Sequence, residues 1–162
     1  MWKIINEQSQ NLYNICKEKQ IFITTAESCT GGMIASSIVS IPGSSSIFNS
    51  SIVTYSNEAK AKFLKIPIEL LNENGAVSKV IAEEMAKNIL KLMDAQMSIA
   101  VTGIAGPSGG TKDKPIGTVW ICIGQKTNIL SKKFLFIGNR LEIRQKTTIE
   151  ALNLANLVAN KI

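Results

Sequence analysis

The chain predicts an α/β fold: a three-layer αβα sandwich around a mixed sheet of about five strands. Three observations predict it. Apolar, β-branched runs alternate with amphipathic helical stretches, so the early strands are joined by helices and run parallel. Two late apolar runs, 117–124 and 129–137, are separated only by Gln125-Lys126-Thr127-Asn128, which makes an antiparallel hairpin. A length of 162 residues with 45% hydrophobic content is enough for one domain with a substantial core and too short for two domains. The expectation is one domain over 1–162.

Taken in order, Trp2 to Lys19 places Ile5, Leu12, Ile15 and Cys16 on one helical face, with Lys and Glu elsewhere. Ile21 to Thr25 is the first strand, and Gly32 to Ser40 the next helix. Pro42-Gly43-Ser44-Ser45-Ser46 ends that helix and reads as an ordinary loop. Ile47 to Tyr55 is a second strand, and Ser56-Asn57-Glu58-Ala59-Lys60 a capped helix start. That helix stops before Pro67, a short helical turn around Glu69 to Leu71 ends at Gly75, and Ser78 caps a longer helix with Ile81, Met85, Ile89 and Leu92 inward. Met97 to Val101 is the third strand. After the hairpin a last helix, Leu141 to Ile162, is apolar on more than one side through Leu152, Leu154, Ala155, Leu157 and Val158. One side suits the sheet and the other a second subunit, so a homo-oligomer, dimer or larger, is expected.

Ligands of such sheets bind beyond strand ends, and three strand ends here carry polar side chains or glycine. The first strand breaks into Ala26-Glu27-Ser28-Cys29-Thr30-Gly31-Gly32. A turn there exposes Ser28 and Cys29, and the amides of Thr30 and Gly31 could meet developing negative charge. The same turn is equally a plain strand-to-helix junction capped by Ser or Thr. The second strand ends at Tyr55, close to Lys60; the third ends in Thr102-Gly103-Ile104-Ala105-Gly106-Pro107-Ser108-Gly109-Gly110, which matches neither the dinucleotide nor the P-loop pattern. Arg140 and Arg144, four apart, share a helix face that could clamp a phosphate.

Composition narrows the chemistry. The chain has no histidine, which excludes Ser-His-Asp and Cys-His catalysis, and any base must be Lys, Tyr, Asp or Glu. A lysine neutralised by burial is the natural activator of a serine. Cys16, Cys29 and Cys122 form no C-x-x-C pair, so neither a disulfide framework nor a zinc site is supported. The net charge of +6 favours anionic partners. Because the basic residues are scattered and aromatics few, a small anionic ligand fits better than nucleic acid. No apolar stretch is long enough for a membrane span or a signal peptide, so no membrane partner and a cytoplasmic location are expected.

Several stretches together resemble the CinA C-terminal family: Thr25-Ala26-Glu27-Ser28-Cys29-Thr30-Gly31-Gly32, Val53-Thr54-Tyr55-Ser56-Asn57-Glu58-Ala59-Lys60, Gly75-Ala76-Val77-Ser78, Gly103-Ile104-Ala105-Gly106-Pro107-Ser108-Gly109-Gly110 and Lys114-Pro115-Ile116-Gly117-Thr118-Val119-Trp120. The resemblance covers nearly the whole chain in order. It implies a stand-alone nicotinamide-nucleotide amidase, hydrolysing nicotinamide mononucleotide to nicotinate mononucleotide and ammonia in pyridine nucleotide salvage, with no metal or organic cofactor. The roles it implies are Ser28 as nucleophile with Lys60 and Tyr55. Backbone near Thr30 and Gly31 would hold the oxyanion, and Thr102, Gly103, Ala105, Gly106 and Arg140 the nucleotide. Two positions depart from the family pattern: Thr102 stands where Ser is expected, and Ser108 where an acidic or amide residue is. Another class of reading is a non-catalytic nucleotide-binding or competence-related module.

Overall fold

A computed structural model describes residues 1–162. Its elements run α1 (Trp2–Lys19), β1 (Ile23–Glu27), α2 (Met33–Val39), a short 3₁₀ turn (Ser44–Ser46), β2 (Phe48–Val53), α3 (Asn57–Leu64), α4 (Ile68–Asn74), α5 (Lys79–Met93), β3 (Met97–Gly103), β4 (Thr118–Gln125), β5 (Ile129–Leu135) and α6 (Arg140–Ala159). The sheet order is β2-β1-β3-β4-β5. β1 pairs parallel with β2 and β3, whereas β3–β4 and β4–β5 are antiparallel. This is the predicted mixed sheet of five strands.

Side chains of a strand alternate between faces, and the two cores divide accordingly. One holds Ile23, Ile99, Val101, Ile121 and Ile123 against Ile5, Leu12 and Cys16 of α1, Ile34 of α2 and Leu152 and Ala155 of α6. The other packs Ala26, Ala100 and Cys122 against Ile81, Ala82, Met85 and Ala86 of α5, with Leu64 and Leu71 from α3 and α4. Small residues on this second face bring α5 close to the sheet. The predicted third layer is therefore real: helices cover both faces.

One expectation is revised. β1 starts and ends two residues later than Ile21 to Thr25, because Ala26 and Glu27 pair with Ile52 and Val53 on one side and Ala100 and Val101 on the other. Central pairing overrides their weak strand preference. α6 packs against the sheet and, through contacts such as Asn156 Nδ2 to the Gln8 carbonyl, against α1, while Leu157 stays exposed. No helix is long and apolar enough to cross a membrane.

Candidate active site

The carboxyl ends of β1, β2 and β3 lie side by side, and the turns that leave them enclose a cavity of about 320 Å³. Ser28, Cys29, Tyr55, Lys60, Thr102 and Arg140 all reach it. Parallel strands create this convergence, since all three leave the sheet at the same edge, β1 and β2 toward helices and β3 into the loop that leads to β4.

Lys60 enters from α3. The Ser56 hydroxyl accepts from the Ala59 amide at 3.1 Å and starts the helix, which sets Lys60 one turn inside it. Helical side chains lean toward the helix start, so the long Lys60 chain is carried back to the strand ends. It is 1% exposed. Its Nζ donates to the Thr54 carbonyl at 2.8 Å and stands 3.0 Å from Ser28 Oγ. Burial lowers the Lys60 pKa from 10.5 to about 8. A lysine in that range is partly neutral at physiological pH, and a neutral amine 3.0 Å from a hydroxyl can accept its proton.

Cys29 lines the same cavity but is no rival on this geometry. Burial pushes its thiol up to about 12, so almost no thiolate exists near neutral pH. Replacing Cys29 by Ser is expected to leave kcat within about tenfold of wild type, because a protonated, buried thiol does little more than fill space. Steady-state turnover of Cys29→Ser checks this. Loss of all turnover would identify the thiol as the nucleophile.

Tyr55 reaches the cavity but does not bond to Ser28 or Lys60. It is 59% exposed at the mouth, where its hydroxyl accepts from Arg140 Nη2. Arg140 also donates to the Gly106 carbonyl at 2.6 Å, so the guanidinium spans the mouth from β2's end to the loop after β3. Arg144, one turn on, points elsewhere: its Nη2 and Nε donate to the Thr30 carbonyl at 2.6 and 3.2 Å. Of the two arginines, only Arg140 lines the cavity.

The expected oxyanion donors, Thr30 and Gly31, lie off the cavity, and the Gly31 amide donates to the Ser28 carbonyl at 3.1 Å. The next amides, of Gly32, Ile34 and Ala35, go to the Glu27 carboxylate. The amides of Cys29, Ala105 and Gly106 have no hydrogen-bond partner in the protein and belong to cavity-lining residues.

Thr102 is 1% exposed, and its hydroxyl is committed to the Ala76 carbonyl at 2.8 Å, tying the loop before α5 to the end of β3. Gly103 admits the Ser28–Cys29 turn: a Cβ there would sit 2.6 Å from Val119 Cγ2 and 3.1 Å from Cys29 Sγ. The cavity is completed by Asn57, Ala76, Val77, Ile104, Ser108 and Gly109, to which no role was assigned from sequence. For Ala76 and Val77 the signal is tertiary, since the Thr102 bond draws their loop in.

The comparisons with known proteins follow the geometry. A family model described as the CinA C-terminal domain matches residues 5–158. This chain belongs to that family. A CinA-like protein of Thermosipho melanesiensis is 49% identical over 134 residues, 82% of this chain and 33% of that protein. One from Endomicrobium trichonymphae is 52% identical, over 85% of this chain and 32% of its own length. The chain thus spans about a third of the curated relatives it matches. Among solved structures, a CinA superfamily protein of Klebsiella pneumoniae superposes with a TM-score of 0.94 at 29% identity, covering 98% of this chain and 99% of that one. The competence/damage inducible protein CihA of Agrobacterium tumefaciens gives 0.93 at 36%, covering 97% and 96%. The CinA fold and the predicted sandwich are one and the same architecture.

Proposed function

We propose that this CinA domain is a nicotinamide-nucleotide amidase, hydrolysing nicotinamide mononucleotide to nicotinate mononucleotide and ammonia within pyridine nucleotide salvage. The observation that carries the chemistry is a buried lysine, its proton affinity lowered, 3.0 Å from a serine hydroxyl at the floor of a strand-end cavity. The substrate follows from the motifs quoted above. Neutral Lys60 takes the Ser28 proton as Oγ attacks the carboxamide carbon. The resulting oxyanion meets the unpaired amides of the 105–106 segment. Protonated Lys60 returns its proton to the leaving nitrogen, ammonia departs, and water hydrolyses the acyl-serine by the same relay in reverse. Tyr55 serves the substrate at the mouth with Arg140, outside the Ser28–Lys60 proton path.

The deciding experiment is ammonia release from nicotinamide mononucleotide by the purified protein. Release supports the amidase; nucleotide binding without release would make the chain a binding module. Arg140 is assigned to the substrate phosphate, where a bidentate, charge-assisted contact is worth roughly 1.5–3 kcal/mol. Arg140→Ala is therefore expected to raise KM for the mononucleotide roughly 10- to 100-fold. Nicotinamide riboside, which lacks the phosphate, should show no such dependence. Equal effects on both substrates would remove Arg140 from the phosphate.

A further inference from the structure

The turn that carries Ser28 is held by two residues that never reach the cavity. Glu27, the last residue of β1, is fully buried and sends its carboxylate under the start of α2. One oxygen accepts from the Thr30 hydroxyl at 2.6 Å and from the amides of Gly32 and Ile34 at 3.0 and 3.2 Å. The other accepts from the Ala35 amide at 2.8 Å, with the Thr25 hydroxyl, which donates to Ser51 Oγ at 2.6 Å, lying 3.4 Å away. Gly32 begins α2 without a side chain to cap it, so Glu27 satisfies the orphan amides in its place. Arg144 takes the opposite end of the turn, with both donors on the Thr30 carbonyl.

Thr30 is thus gripped at its hydroxyl from the sheet and at its carbonyl from α6. Ser28 stands two residues before it, its own amide bonded to the Val101 carbonyl at 3.1 Å. We infer that Glu27 and Arg144, acting through Thr30, are positioning residues that hold Ser28 Oγ in reach of Lys60. This rests on the Ser28–Lys60 reading. Each group on Glu27 is a donor, which suits an acceptor-only carboxylate and no amide: a Gln there must turn an NH₂ toward an N–H or O–H. α6 then has two tasks one turn apart, the substrate anion at Arg140 and the nucleophile's turn at Arg144.

The test compares Thr30→Val, Thr30→Ser, Arg144→Gln and Glu27→Gln in the intact chain, with thermal unfolding recorded to confirm that each variant folds. Displacing a reacting group by about 1 Å costs on the order of 100-fold, so Thr30→Val and Arg144→Gln are expected to lower kcat roughly 10- to 100-fold. KM should stay within about twofold, because neither residue meets substrate. Thr30→Ser, which keeps the hydroxyl, should restore kcat to within about threefold of wild type. Labelling by a fluorophosphonate, in which Ser28 Oγ displaces fluoride from phosphorus, should slow in parallel. That readout needs no amide substrate, so it separates a failure here from a failure of the amidase assignment. If Glu27→Gln does not fold, the Thr30 and Arg144 variants decide alone. Unchanged kcat and labelling in folded Thr30→Val and Arg144→Gln, or no rescue by Ser, would overturn the inference.

Discussion

Replacing Ser28 by Ala is expected to lower kcat for ammonia release by a factor on the order of 10⁵ to 10⁶, the scale found when a hydrolase loses its serine nucleophile. The size follows from the absence of a substitute. Cys29, the next possible nucleophile, is held protonated by burial, and its pKa of about 12 leaves a negligible thiolate fraction. No histidine exists to activate water in place of the serine. Nucleotide binding should survive, because Arg140 and the 105–106 amides are untouched. Turnover by calorimetry or ammonia assay, beside equilibrium binding of the mononucleotide, separates the two effects. Binding retained with catalysis gone supports the covalent role; residual activity within about tenfold of wild type would show that Ser28 is not attacked through.

The fold was legible because its signals are local and periodic. The apolar spacing of 2–19 bounds α1 as observed, Ser56 and Ser78 cap α3 and α5, and the 125–128 turn joins β4 to β5. The site was legible as far as the strand-end rule and the quoted motifs reach, which brings Ser28, Tyr55, Lys60, Thr102 and Arg140 to one cavity. What failed depended on where a hydrogen bond goes after folding. The Thr30 and Gly31 amides lie at a strand-to-helix turn, but the Gly31 amide is bonded back to the Ser28 carbonyl and neither residue lines the cavity. The expected Ser or Thr cap of α2 is Glu27, five residues before the helix N-cap and invisible to a rule that looks for a cap beside its helix. Arg140 and Arg144 share a helix face, yet a single turn of rise is enough to give one the cavity mouth and the other the Thr30 carbonyl.

Lys60→Met should be nearly as inactive as Ser28→Ala, and it should behave unlike the loss of a structural lysine. In the wild type, kcat/KM is expected to rise with pH along a limb near 8, since only neutral Lys60 accepts the Ser28 proton and about one-tenth is neutral at pH 7. The same displacement, from 10.5 to about 8, means that charged Lys60 destabilises the fold by about 3 kcal/mol relative to an undisplaced lysine. Below pH 8 both folded and unfolded chains hold the proton, and the whole cost is present. Between 8 and 10.5 the folded chain releases it first, and above 10.5 the cost is gone. Methionine carries no charge, so the stability of Lys60→Met relative to wild type should fall by about 3 kcal/mol between pH 7.5 and 10.5. Taking the difference cancels the titration of the other lysines, tyrosines and cysteines. The Thr54 carbonyl left unpaired in the variant costs about 1–3 kcal/mol, but equally at every pH, so it offsets the level and not the slope. Denaturant unfolding of both proteins at the two pH values measures that slope. A pH-independent difference would mean that Lys60 keeps its ordinary proton affinity, and a base that stays charged at neutral pH could not take the proton from Ser28.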